Sequence, residues 1–195
     1  MRIGIVSDIH GNWEGLDTAL ARMGAVDEVW CAGDAFDQYR FSNEVVARLR
    51  EIDARYVLGN HEEVLLSPAG ERAQARPEVD PGLLEWARRE PRWIESVVDG
   101  KRLVMFHATP YAPYSEYVYP HSSALARFGE LDADFVIYGH THMPLARSIN
   151  GSLVINPGSA GEGRDAARER RLSCAVLDTR SGEVAFEEFP NPRLG

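Results

Sequence analysis

The sequence predicts an α/β sandwich, with two mixed β-sheets flanked by α-helices. Three observations carry that expectation. The first sixty residues alternate short apolar strands with helical spacing, as in a parallel sheet covered by helices. The second half instead carries apolar runs joined by tight turns, as in hairpins. The 195 residues, 44% hydrophobic and 26% charged, suit one domain with a substantial buried core.

The elements follow in order. Residues 2–7 (RIGIVS) read as a buried strand running into Asp8, and Gly11 and Asn12 as a turn. Residues 13–24 carry Trp13, Leu16, Leu20 and Met23 at helical spacing. The run EVWCAG is a second strand that ends at Asp34. Residues 41–51 form a helix with Val45, Val46 and Leu49 inward, and RYVLG a third strand ending at Asn60 and His61. Residues 63–98 are rich in Ala, Glu, Arg and Pro, with Trp86 and Trp93 as anchors. They read as helices broken at Pro77, Pro81 and Pro91. Strands return with RLVMFHA and FVIYGH, separated by a loop at 109–121 that holds Tyr111, Tyr114, Tyr117 and Tyr119. LARSI and SLVIN flank Asn150-Gly151, a strong hairpin signal. Residues 172–178 and 183–189 flank a second turn at Ser181-Gly182.

Composition narrows the function. The formal net charge of −9 argues against an extended nucleic-acid surface, which needs clustered Lys and Arg. It leaves room for a small phosphorylated substrate, because bound divalent cations would reverse the field at a carboxylate site. No run has the length and apolarity to cross a bilayer, so no membrane partner is expected. The opening MRIGIVSDIHG reads as a strand and not as a cleavable leader, which places the protein in the cytoplasm. Cys31 and Cys174 sit inside apolar runs and read as reduced core residues. Arg164, Arg168, Arg170 and Arg171 read as a solvated, charge-balanced surface.

Chemistry gathers where the strands run out. Asp8 and His10 follow the first strand, Asp34 the second, and Asn60 and His61 the third. His107 ends a later strand, and His140 and His142 follow FVIYG. Ligands of open parallel sheets bind beyond these carboxyl ends. A lone histidine there is ordinarily a satisfied structural residue. Five of the six, joined by two aspartates and an asparagine, are poorly explained that way. Imidazole with carboxylate and no thiolate suits Mn, Fe, Co, Ni or Zn. The set exceeds what one ion takes, and a carboxylate can bridge two. That points to two divalent cations about 3.5–4 Å apart.

These blocks resemble the calcineurin-like metallophosphoesterase family, in its small bacterial and archaeal phosphodiesterase branch. The carrying motifs are Asp8-Ile9-His10, Gly33-Asp34, Gly59-Asn60-His61-Glu62, the lone His107, and Gly139-His140-Thr141-His142. Asn156-Pro157-Gly158-Ser159 resembles a turn late in the small branch. The resemblance implies that Asp8, His10 and His142 bind a first metal and Asn60, His107 and His140 a second. Asp34 would bridge both. His61 would face the substrate phosphate, oriented by Asp37. The implied reaction is displacement at phosphorus by a hydroxide held between the cations. Gln38 stands where the related protein phosphatases keep an Arg, which argues against phosphoprotein substrates. Ala108 replaces a common Gly and narrows the approach to the second metal. The expected substrate is a small phosphodiester. The alternatives are a phosphomonoesterase or nucleotidase, and a non-catalytic protein-binding scaffold of the same fold. The Tyr-rich loop could contact substrate, pack internally, or join subunits of a homo-oligomer.

Overall fold

The computed structural model describes residues 1–163 and 171–194. Arg164, Arg168 and Arg170 lie outside the described residues. Arg171 pairs with Glu188 at 3.6 Å.

The first half runs β1 (Arg2–Val6), α1 (Trp13–Met23), β2 (Glu28–Cys31), α2 (Asn43–Glu51) and β3 (Arg55–Tyr56). Short helices follow: α3 (Asn60–Leu66), α4 (Glu71–Gln74) and α5 (Pro81–Arg88). Next come β4 (Trp93–Val98) and β5 (Lys101–Phe106), and after a long loop a 3-10 helix (Ser123–Glu130) and β6 (Phe135–Ile137). The chain closes with β7 (Leu145–Ile149), β8 (Ser152–Asn156), β9 (Leu172–Asp178) and β10 (Val184–Phe189). One five-stranded sheet has the order β10-β9-β1-β2-β3, the other β4-β5-β6-β8-β7. Each is mixed: β1, β2 and β3 are parallel, as are β5, β6 and β8, while β9 runs antiparallel to both β1 and β10, β4 to β5, and β7 to β8. The expected sandwich of two mixed sheets is the architecture observed.

Strand alternation builds three layers of core. Ile3 and Ile5 of β1 meet Leu103, Met105, Phe135 and Ile137 of the other sheet in the central layer. On β9, Ala175 and Leu177 face that layer, while Cys174 and Val176 face the helices with Leu16, Ala19, Val45 and Leu49. Val104, Phe106 and Val136 form the third layer with Leu125 and Phe128 of the 3-10 helix. The helix starts are capped locally. Asn12 accepts from the Gly15 N–H, Ser42 from Val45, and Asp80 from Gly82 and Leu83.

Two expectations are corrected. Residues 93–98 are a strand, not the end of a helical segment. Trp93–Val98 pairs antiparallel with Lys101–Phe106 across Asp99-Gly100, whose φ values of 50° and 75° make a tight hairpin turn. The third strand is also shorter than RYVLG: Val57–Gly59 leave the ladder so that Asn60 can open a helix.

Candidate metal centre

The strand ends bend sharply to bring their side chains together. Asp8, His10, Asp34, His140 and His142 all have φ between 47° and 66°, the left-handed region that non-glycine residues rarely occupy. Each costs on the order of 1–3 kcal/mol, strain that collects at functional sites. The turns leave no room for side chains between them. A Cβ on Gly59 would lie 2.1 Å from Asp34 Oδ1, and one on Gly139 would lie 1.9 Å from Ser7 Oγ.

Two clusters result. In the first, His142 Nε2 is 3.1 Å from Asp8 Oδ1 and 3.2 Å from His10 Nε2. In the second, His107 Nε2 lies 3.0 Å from Asn60 Oδ1, 3.1 Å from His140 Nδ1 and 3.2 Å from Asp34 Oδ2. Asp34 belongs to two groups of potential ligands, one with His107 and His140 and the other with His10 and His61. The structure thus gathers all seven residues expected as ligands.

The donor chemistry fits cations. His142 Nδ1 donates to the Glu162 carbonyl at 2.7 Å and His107 Nδ1 to the Ala32 carbonyl at 2.8 Å. A carbonyl only accepts, so each ring holds a proton on its outer nitrogen and can turn a lone pair inward. His140 reverses this: Nε2 faces the Ser115 carbonyl at 3.2 Å and leaves Nδ1 for the cluster. Asp8 Oδ1 is buried without a hydrogen-bond partner. An orphaned interior carboxylate oxygen is costly, and a cation would satisfy it. The site shifts its imidazoles in opposite directions. Burial pushes His10 down, but Asp37, Asp8 and Asp34 outweigh it and raise the ring to about 9. Burial likewise opposes the charge on His107, and Asp34 lifts it to about 10. Burial, with His107 beside it, lowers His140 to about 4.

His61 differs from the other histidines. Its Nδ1 accepts the Gln38 backbone N–H at 3.2 Å, so its proton sits on Nε2, which lies 4.0 Å from Asp34 Oδ2. Although His61 is near enough to be grouped with ligands, it presents an N–H donor to the site and not a lone pair. Asp37, the residue expected to orient His61, lies near two imidazoles. Its Oδ1 lies 3.4 Å from His10 Nδ1 and 4.0 Å from His61 Nδ1. The Gln38 amide sets the His61 tautomer, and Asp37 sits closer to His10.

The sequence reading gave Glu62 no role, yet it organises this region. It is fully buried and accepts from Asp34 N (3.0 Å), Ala35 N (2.6 Å), Gly59 N (2.8 Å) and Tyr56 Oη (2.7 Å). Burial and the nearby Asp34 charge raise its carboxyl to about 7. The Gly59-x-x-Glu62 spacing, a glutamate three residues past a helix start, was the readable signal. Tyr117 was read only as part of its loop; it stacks on His140 with centroids 3.8 Å apart.

The model of the calcineurin-like phosphoesterase superfamily domain matches residues 1–182. A metallophosphoesterase from Sphaerobacter thermophilus superimposes with a TM-score of 0.82 at 26% identity, covering 98% of this chain and 89% of that one. A structure described as a novel archaeal phosphodiesterase superimposes with a TM-score of 0.62 at 23% identity, covering 97% and 100%. An uncharacterised protein of Methanocaldococcus jannaschii is 27% identical over 93% of this chain and 84% of its own length. Fold and site together define a phosphate-ester hydrolase with His and Asp clusters that could hold metal ions. The chain belongs to the calcineurin-like phosphoesterase superfamily. No helix of the described residues is long and apolar enough to cross a membrane.

Proposed function

We propose that this chain hydrolyses small phosphodiesters in the cytoplasm with two divalent cations per chain, drawn from Mn, Fe, Ni, Co and Zn. The observation that carries the reading is the pair of ligand clusters, with Asp34 close to His107 and His140 of the one and to His10 of the other. Asp8, His10 and His142 would hold one ion, Asn60, His107 and His140 the other, and Asp34 both. When bound, such ions acidify water and neutralise charge on phosphoryl oxygens.

The remaining work falls to the chain. His61 offers its Nε2–H to a phosphoryl oxygen or to the departing alkoxide, as a general acid or transition-state donor. The Gln38 amide keeps that proton on Nε2. Gln38 itself is uncharged and lacks the paired grip of Arg on a monoester dianion, so a singly charged diester is the better match. Two buried free cysteines accord with a reducing compartment. The test compares kcat/KM for an aryl phosphodiester and the matching monoester after chelation and reconstitution with each metal. A clear preference for the monoester would replace this reading with a phosphomonoesterase. No turnover with any metal would favour the scaffold.

A further inference from the structure

A cavity of about 290 Å³ opens beside the second ligand cluster, sharing Asn60 and His107 with it. Its walls include Leu58, Trp93, Phe106, Ala108 and Tyr114. Trp93 and Phe106 stack nearly parallel at 5.4 Å, and Phe106 is buried. The Trp93 indole N–H is engaged by Glu95 at 3.0 Å. The charged lining residues Glu63 and Arg92 pair with each other at 2.9 Å. Away from His107, the space is therefore walled by aromatic and apolar side chains and by charges that pair with each other. It sits at the small end of ligand pockets, about 300 Å³, enough for one ring system.

The Tyr-rich loop divides its labour around this space. Tyr111 donates its hydroxyl to the Arg127 carbonyl at 3.0 Å, and the Arg127 guanidinium lies 4.2 Å over its ring. Tyr111 is thus occupied in holding the loop. Tyr114, 54% exposed, is the tyrosine that lines the cavity.

We propose that this cavity receives the second ester group of a phosphodiester, and that this group is an uncharged planar ring, an aryl group or a nucleobase. The inference rests on the diesterase reading and deepens it. A diester phosphate at the metal ligands must direct one substituent away from the ions, and the cavity continues directly from Asn60 and His107. Both the aromatic walls and the self-paired charges favour a neutral ring over a charged or aliphatic group.

The test uses three diesters with the same p-nitrophenol leaving group: methyl, phenyl and nucleosidyl p-nitrophenyl phosphate. With metal-reconstituted protein, kcat/KM should be about tenfold or more higher for the ring-bearing substrates than for the methyl diester. Trp93→Ala and Tyr114→Ala should each cut that advantage and leave methyl diester turnover unchanged. Tyr114 is exposed, so its variant keeps the test intact if Trp93→Ala fails to fold. Equal gains for phenyl and nucleosidyl would assign the subsite to any ring. A gain for the nucleosidyl substrate alone would assign it to a nucleobase read at its edge. The proposal is overturned, with the diesterase reading standing, if the methyl diester is cleaved as well as the others. It is also overturned if neither variant changes the preference. If no diester is hydrolysed at all, the diesterase reading fails and binding decides the cavity. Calorimetry with diphenyl and dimethyl phosphate should then show tighter binding of the diphenyl ester, lost in Tyr114→Ala. Equal binding of the two would overturn the proposal.

Discussion

At the scale of residues, the site separates groups that look alike in sequence. His61 lies 4.0 Å from Asp34 yet turns a proton, not a lone pair, toward it. His61→Ala should therefore keep its metals and lose about 10²–10⁴-fold in turnover, as metal analysis beside steady-state rates would show. Asp34→Asn should lose metal and rate together. Gly59→Ala should mimic that loss, because a Cβ 2.1 Å from Asp34 Oδ1 forces the carboxylate aside. Proton linkage offers a further check. His10 at about 9 and His107 at about 10 are both charged at pH 7.5 in the metal-free protein, whereas a ligand must be neutral. Metal uptake at that pH should release protons, measurable by calorimetry in buffers of different ionisation enthalpy, and affinity should fall as pH falls. Both values are raised above the ordinary 6.5, so the His–Asp pairs stabilise the metal-free fold fully below about pH 6.5. That contribution is lost as pH rises through 9 to 10. The ligand candidates were legible because strand ends expose them in a fixed order. The Gln38 contact to His61 was not, since a backbone amide leaves no mark on residue identity.

At the scale of elements, α3 shows how one buried side chain sets a turn. Glu62 ties the Asp34–Ala35 turn, the Gly59 amide and Tyr56 into one network. Glu62→Gln would replace one acceptor oxygen with an NH₂ facing N–H donors. We expect a loss of about 2 kcal/mol or more in denaturant unfolding, with weakened metal retention because Asp34 loses its anchor. Most strands could be read from apolar runs ending in polar residues. β4 could not, because its burial is partial and uneven along its length and Pro91 with the Trp anchors suggested broken helices. The hairpin signal was nonetheless present in Asp99-Gly100. The 3-10 helix at Ser123–Glu130 went unread because its short run buries just Leu125 and Phe128 fully.

At the scale of the whole molecule, the ligands come from both sheets. Asp8, His10 and Asp34 follow β1 and β2 of one sheet, while His107, His140 and His142 follow β5 and β6 of the other. Bound cations would clip the two layers together at one end of the sandwich. At free metal about a hundredfold above Kd, each ion adds about 2.7 kcal/mol of stability. Chelation should then lower Tm by about 5–10 °C per ion for a chain of this size, seen by scanning calorimetry. The sandwich and the ligand order were legible together because β1, β2, β3, β5 and β6 both build the sheets and run into the site. What occupies the cavity beside Trp93 was not, since its walls come from Leu58, Trp93, Phe106 and Tyr114, which no local pattern connects. The claim on which all this turns is that seven residues hold two ions that hydrolysis needs. Its most direct test is to titrate metal into stripped protein while recording ions bound per chain and diester hydrolysis in the same samples. The account predicts saturation at two ions per chain, with no turnover in stripped protein and full turnover on filling of the second site. Saturation at one ion, or hydrolysis by stripped protein at the reconstituted rate, would contradict it.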